Sequence, residues 1–494
     1  MATIIGTTGN DTLVPGDGDD VLYGDPFNLV ALASGKGGDD LLSATGDRND
    51  LYGDAATIKG SGRGGNDILN ATGDFNGLVG DATSMSGNAR GGDDSLSATG
   101  DFNDLVGDAG SMSGNARGGN DILLAAGDSN VFYGDAPGMQ GNARGGDDIL
   151  TVTGLFNFLH GDASFLDGNT RGGNDRLEAT GSFNLLLGDA TDMFGQARGG
   201  DDRLHVAGDQ NRLFGDASID LAGNARGGND ELSAVGDSNA LRGDAFFMSN
   251  GARGGDDTLA AVGNGNLLGG DAATLFDDAR GGNDVLSATG DANQLYGDAG
   301  GDMLNNARGG NDVLSATGGG NELYGDAGGG MSSNARGGND TLVAIGGDNT
   351  LIGDAFHMSE RAIGGNDVLI GGIGDDLLVG DALLMSGSNA KGGNDQLWGD
   401  SQGAASGGAD TFAFAGAFGK DVVNDFRQSD GDQIQLSGYG AALTIDDVLD
   451  HVSVLGSNTV VDIGAALGGP ARTDTITLRG FNDELNESDF LITT

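Results

Sequence analysis

Apolar positions recur along this chain at fixed places between clusters of Gly, Asp and Asn. Residues 91–117, GGDDSLSATGDFNDLVGDAGSMSGNAR, show the pattern. The Gly-Gly doublet returns at Gly64, Gly91, Gly118, Gly145, Gly172 and Gly199, always 27 residues apart. It continues at Gly227, Gly254, Gly281, Gly309, Gly337, Gly364 and Gly392 with spacings of 27 or 28. Each unit divides into three stretches of nine residues. The first carries the Leu of G-G-N/D-D-x-L (Leu69, Leu96, Leu123), and the second the Leu of N-x-L-x-G-D (Leu78, Leu105, Leu213). The third, D-A-x-x-M-x-G-N-A-R, holds nine of the ten Met.

Short apolar stretches punctuated by Gly and Asx turns predict strands rather than helices. One unit cannot bury its few Leu, Ala and Met alone, whereas copies stacked at the ~4.8 Å strand spacing align Leu on Leu and Met on Met. The expected fold is therefore all-β: a parallel β-roll or β-helix solenoid over residues 1–400. About fourteen coils would make it ~65–70 Å long with a thin core. Two geometries fit: an 18-residue two-strand roll with a nine-residue side excursion, or a three-sided helix with all 27 residues in the coil. The first and last coils, 8–25 and 364–381, look like plain 18-residue turns.

Composition narrows the function. There are 99 Gly but only 4 Pro and no Gly-X-Y period, which excludes collagen. Cys is absent, so no disulfide frame or thiolate metal site is expected. No apolar run reaches the ~18 residues of a membrane helix. The start, MATIIGTTGND, has no basic and apolar regions of a Sec signal peptide. A net charge of −50 argues against nucleic acid and membrane insertion and points to cations as partners. So acidic a chain with 5% aromatics would be disordered unless its carboxylates were neutralised.

The Gly-rich turns suggest how. Calcium takes six to eight oxygens from carboxylates and backbone carbonyls, and Gly permits tight turns that aim several carbonyls inward. Asp residues stacked from coil to coil repel unless a cation lies between them. The alternative is that these Asp only cap turns through Asx hydrogen bonds.

The stretches GNDTL (9–13), GDDVL (18–22), GGNDILN (64–70), GGNDVLI (364–370) and GDDLLVG (374–380) resemble the nonapeptide G-G-x-G-x-D-x-U-x of the repeats-in-toxin (RTX) family. Members are calcium-binding β-roll proteins, and the resemblance covers about four-fifths of the chain. It implies that the Asp before x-U supplies the calcium carboxylate. Matching positions are Asp11, Asp20, Asp40, Asp67, Asp94, Asp121, Asp148, Asp175, Asp202, Asp230, Asp257, Asp284, Asp312, Asp340, Asp367, Asp376 and Asp395. One or two Ca2+ per coil are expected; one over about fourteen coils adds roughly +28, two roughly +56.

The second turn departs from that pattern. Asn stands where Asp is expected in the middle coils, at Asn49, Asn76, Asn103, Asn130, Asn157, Asn184, Asn211, Asn239, Asn266, Asn293, Asn321 and Asn349. This row reads either as a stacked amide ladder or as a second calcium row. A further Asp recurs in G-D-A, from Asp54 and Asp81 to Asp354 and Asp381, and an Arg recurs from Arg63 and Arg90 to Arg336. Either these pair as an Arg–Asp ladder or the Asp also binds calcium.

The 27-residue period stops after Asp400. The segments G-G-A-D-x-F-x-F, D-V-V-x-D-F and G-D-x-I-x-L-S-G, with the final Asp489-Phe490-Leu491-Ile492, resemble the C-terminal module of type I secreted proteins. The resemblance implies that residues 401–494 form a β capping module and a signal read by a type I secretion exporter of a Gram-negative bacterium. The location implied is extracellular or cell-surface.

No catalytic constellation is visible. His160, His205, His357 and His451 are isolated, and neither H-E-x-x-H nor G-x-S-x-G occurs. The expected function is that of a non-enzymatic, secreted calcium-binding structural or interaction protein of a surface layer, extracellular matrix or filament. The first coil has no evident cap, leaving an edge for head-to-tail homo-oligomers, and cell-surface polysaccharide is a further candidate partner. The alternatives are a β-solenoid polysaccharide epimerase or lyase, and a polysaccharide- or ice-binding adhesin presenting Ser-x-Thr rows such as Ser287/Thr289 and Ser315/Thr317.

Overall fold

Alternate residues are buried along each short strand. In Ile68–Thr72, Leu69 and Ala71 point into the core while Ile68 and Thr72 face out. This period of two makes each segment one rung of a sheet with a single buried face. The computed structural model describes residues 3–15, 18–26, 35–387, 389–401 and 407–493. Residues 16 and 17 of the predicted first coil lie outside them. The fold is an all-β parallel β-solenoid of about 15 turns with a repeat of ~27 residues. The chain divides into two units, Met1–Phe247 with Gly251–Gly255, and Met248–Asn250 with Asp256–Thr494.

In the first unit every full rung has three strands. On the first face, Leu41–Thr45, Ile68–Thr72, Ser95–Thr99 and Ile122–Ala126 pair in parallel, aligning Leu42, Leu69, Leu96 and Leu123. On the second, Asp50–Tyr52, Gly77–Val79, Asp104–Val106 and Val131–Tyr133 align Leu51, Leu78, Leu105 and Phe132. On the third, Thr57–Gly60, Ser84–Gly87, Met112–Gly114 and Gly138–Gly141 align Ile58, Met85, Met112 and Met139. The middle coils are thus three-sided, with all of the repeat in the coil. The core is a column of Leu, Leu and Met per rung, edged by small residues such as Ala89, Ala98 and Ala109. Each fully buried Leu contributes roughly 1.5–3 kcal/mol. The first coil is shorter: Thr3–Ile5 pairs directly with Val21–Tyr23, eighteen residues on, as the spacing predicts.

The second unit keeps three faces through Ala382–Ser386, which pairs with Ala355–Ser359. The predicted 18-residue turn at 364–381 is therefore two sides of a three-sided coil, because Val368 pairs with Gln396, 28 residues on. Only after this rung does the third face end. Leu378, Phe412, Ile434 and Phe490 then continue the second face. Leu397, Val423 and Leu478 continue the first. The C-terminal segment thus extends the two sheets. Its distinct part is residues 438–474, with the helix Ile445–Leu449 and the antiparallel strands Val452–Leu455 and Asn458–Asp462. No helix among the described residues is long and apolar enough to cross a membrane.

Candidate metal centre

Two Asp rows share one interior corner. The Asp of G-G-x-D lies just before the first face, and the Asp of G-D-A just after the second. The nine residues of the third face leave and return between them, so both carboxylates project into the same space. Carboxylate oxygens of Asp54, Asp67 and Asp81 all lie within 4.8 Å of one another, as do those of Asp25, Asp40 and Asp54 and of Asp381, Asp395 and Asp421. All of these Asp are buried. Glycine is required here by close approach: a Cβ on Gly91 would collide with the Asp108 carboxylate, and one on Gly92 with the Gly65 carbonyl.

Hydrogen bonding satisfies many of these carboxylates by half, while Asp81 and Asp108 share one Gly N–H between both oxygens. In the first row, Oδ1 accepts the backbone N–H of the Asp one rung earlier: Asp94 from Asp67 at 2.6 Å, Asp121 from Asp94 at 2.7 Å, Asp312 from Asp284 at 2.7 Å. Oδ2 has no hydrogen-bond partner in Asp40, Asp67, Asp94, Asp121, Asp148, Asp175 and Asp202, nor in Asp284, Asp312, Asp340, Asp367 and Asp395. In the second row, one oxygen accepts the N–H of the second Gly of the doublet, as Asp135 does from Gly146 at 3.0 Å and Asp298 from Gly310 at 2.8 Å. The other oxygen is unpartnered in Asp54, Asp135, Asp162, Asp189, Asp216, Asp298, Asp326 and Asp354.

A buried carboxylate oxygen without a donor is costly, and the corner titrates accordingly. Burial first, and the neighbouring Asp54 second, push Asp67 up to about 9. Burial and then Asp340 push Asp326 to about 8. Burial raises Asp395 to about 7 and Asp40 to about 6. Asp94, Asp121 and Asp298 are driven well above the carboxylate range by burial and then by adjacent Asp.

The recurring Arg does not relieve this charge. Arg63, Arg90, Arg117 and Arg144 are exposed while Asp81 and Asp108 are fully buried, and no ion pair among the described residues joins the two rows. The predicted alternative of an Arg–Asp ladder is not formed. What the corner offers is a set of hard oxygen acceptors with no donor facing them. That suits a metal ion with oxygen ligands, and the clusters could hold one.

The opposite corner differs. Asn76 Oδ1 accepts the N–H of Asn49 at 2.9 Å, and Asn76 Nδ2 donates to Asn103 Oδ1 at 3.1 Å, a pattern repeated by Asn103, Asn130 and Asn157. From Asn49 to Asn157 the Asn row is an amide ladder; Asn184 turns its NH2 to Gly154 O, and Asn293 continues the row through its backbone N–H alone. Of the predicted ligands, Asp20 and Asp376 lie on this corner: Asp20 N donates to Asn49 Oδ1 at 3.1 Å, and Asp376 Oδ1 accepts from Asn349 N at 2.6 Å. Asp11 is half-buried at the start of the first row, its N–H bonded to Asp40 Oδ1 at 2.6 Å. The sequence reading overlooked two members of the carboxylate corner, Asp25 and Asp421. The first follows Tyr23-Gly24 just as Asp54 follows Tyr52-Gly53. The second takes the N–H of Asp395 at 2.9 Å, so the row runs past the end of the repeat.

His160, the largest irregularity of the repeat, is buried, stacked on Tyr133 with centroids 4.7 Å apart and bonded to Thr191 Oγ1 at 3.2 Å. Burial lowers its pKa to about 4.

No protein-family model and no curated protein matches this chain.

Proposed function

We propose that this chain is a calcium-binding solenoid of the RTX type. On this reading it is exported unfolded, folds when cations fill its carboxylate corner outside the cell, and serves as a structural or interaction protein of a surface layer, matrix or filament. The observation that carries the reading is the double row of buried carboxylates, in which Asp67, Asp94, Asp121, Asp135, Asp162 and others named above keep one oxygen without a donor. Asp67 with Asp54 and Asp81 would hold one ion, as would Asp40 with Asp25 and Asp54, and Asp395 with Asp381 and Asp421. Bound there, calcium would supply positive charge between rungs and take the unpartnered carboxylate oxygens as ligands. About 15 turns with one ion each add roughly +30 against the formal −50.

The protein's own residues do the rest. Gly-Gly lets the two rows approach, the Leu and Met columns fix the rung spacing, and Oδ1–backbone bonds hold each carboxylate in place. Without the cation the corner opposes stacking, so the chain stays expanded in a calcium-poor cytosol and can pass an exporter. In millimolar external calcium, binding and folding are one event. The C-terminal likeness to type I secreted proteins supports that route.

Far-UV circular dichroism with light scattering through a calcium titration tests the proposal. The expected result is a compact β spectrum that appears cooperatively with calcium and is lost in chelator. The same spectrum and melting temperature in both conditions would overturn it.

A further inference from the structure

One exposed feature of the first unit plays no part in the corner. Lys36 and Arg63 through Arg144 to Arg226 and Arg253 form an unbroken series of parallel bridges, so nine successive rungs each present a basic side chain along one line. All are exposed. Lys36 pairs with Asp39 at 2.9 Å, but among the described residues no ion pair joins the Arg members to a carboxylate. Like charges on neighbouring strands at ~4.8 Å destabilise a sheet.

The row beside it avoids this cost. Asp39, Asn66, Asp93, Asn120, Asp147 and Asn174 alternate charged and neutral, and the backbone N–H of Asn66, Asn120, Asp147 and Asn174 bonds to the side chain before it, Asn120 N to Asp93 at 3.0 Å and Asp147 N to Asn120 at 3.1 Å. One exposed row is kept free of adjacent like charges while its neighbour carries nine in succession. The strip is also recessed. A groove of about 450 Å³ runs along Lys36, Arg63, Arg90, Arg117 and Arg144 beside the Gly-Gly doublets, its five basic side chains outnumbering the two carboxylates that also line it, Asp93 and Asp147. A second, of about 370 Å³, separates these Arg from Asn88, Asn115 and Asn142. Asn115 donates one N–H to Asn88 at 3.0 Å and Asn142 one to Asn115 at 3.1 Å, and each keeps a second.

We propose that this strip binds a linear acidic polysaccharide, a hexuronate chain laid along the rungs with about one carboxylate per Arg. Guanidinium groups take carboxylates bidentately, and the amide row offers hydrogen bonds to sugar hydroxyls. A sugar advances an extended chain by about one rung. Duplex nucleic acid, with a charge every ≈1.7 Å, mismatches that pitch. The inference requires a folded solenoid, and so rests on the reading above.

The experiment is calorimetric titration of the full chain, at fixed free calcium, with hexuronate oligomers of about three and about nine residues. A neutral oligosaccharide and a single-stranded oligodeoxynucleotide serve as comparators, and circular dichroism of the same samples reports folding separately. Affinity should rise with oligomer length, and the neutral sugar should not bind. The variant R90Q/R117Q/R144Q should weaken binding by about tenfold, the loss of three exposed ion pairs, with an unchanged spectrum. Should that variant fold poorly, R117Q alone should weaken the long oligomer by about twofold. Folded protein that ignores the nine-residue oligomer, binds it equally after substitution, or prefers the oligodeoxynucleotide would overturn the proposal.

Discussion

Each rung buries two kinds of polar row at opposite corners, built from side chains of nearly equal size, and only one of them closes on itself. An Asn carries donor and acceptor, so Asn76 can accept from the rung before and donate to the rung after. An Asp carries acceptors alone. Its Oδ1 is satisfied by a backbone N–H, and its Oδ2 faces further carboxylates. Replacing NH2 by O therefore turns a stack that can pair with itself into one that leaves buried acceptors unsatisfied. From Asn49 to Asn157 the amide corner links rung to rung, whereas the carboxylate corner leaves oxygens without donors.

Exchanging the two chemistries is the strongest way to break this contrast. Asn103→Asp with Asn130→Asp places uncompensated charge in the amide corner and is expected to cost about 3–5 kcal/mol, read by urea unfolding at fixed calcium. Stability equal to the parent would show that the amide bonds do not hold that corner. The reverse exchange, Asp121→Asn, is expected to act with opposite signs in two conditions. With calcium it should lose bound ion and about 1–3 kcal/mol. In chelator it should retain more β structure than the parent, because one buried charge is gone. A variant weaker in both conditions would contradict the charge argument.

Acidity should partly substitute for cations. The raised carboxylate pKa values mean that, without metal, the stacked state takes up protons relative to the unfolded chain. Stability is then present in full below about 4, the ordinary carboxylate value, and is lost as pH rises through about 6 at Asp40, 7 at Asp395 and 9 at Asp67. Circular dichroism in chelator should show β structure growing from pH 9 toward pH 4; the opposite trend would sink this account. The smallest effect is expected at Phe102, which holds a left-handed φ of 57° on the amide side and stacks on Phe75 with centroids 5.0 Å apart. Phe102→Gly relieves about 1 kcal/mol or more of backbone strain but forfeits a similar aromatic contact, so the melting temperature should barely move.

The repeat, the strands and the first Asp row were legible because Leu and Gly-Gly recur at a fixed period, which parallel stacking turns into columns. The third face was not decided by the pattern. A Met once per unit serves equally in a side excursion or a strand, and only the pairing of Met85, Met112 and Met139 settles it. The same ambiguity made 364–381 look complete, when Ala382–Ser386 still closes that coil. That the two Asp rows meet was hidden for a related reason: Asp67 and Asp81 come together only once the path of the third face is known. The placement of Phe75, Phe102, Phe156 and Phe183 at positive φ had no signal at all, since such turns usually select Gly, Asn or Asp.

The third face also absorbs the change from a 27- to a 28-residue repeat. Where the unit lengthens, Ala190 stays opposite Ala217 while Asp192 shifts to Asp220, a bulge that leaves Leu204 beside Leu232 and Leu213 beside Leu241 in register. Within the repeat this length change is thus taken up on one side of the rung, leaving the other two in register. For protein engineering this marks a grafting site: foreign peptides spliced near residues 218–219 would be displayed at a defined pitch without disturbing the rest of the scaffold.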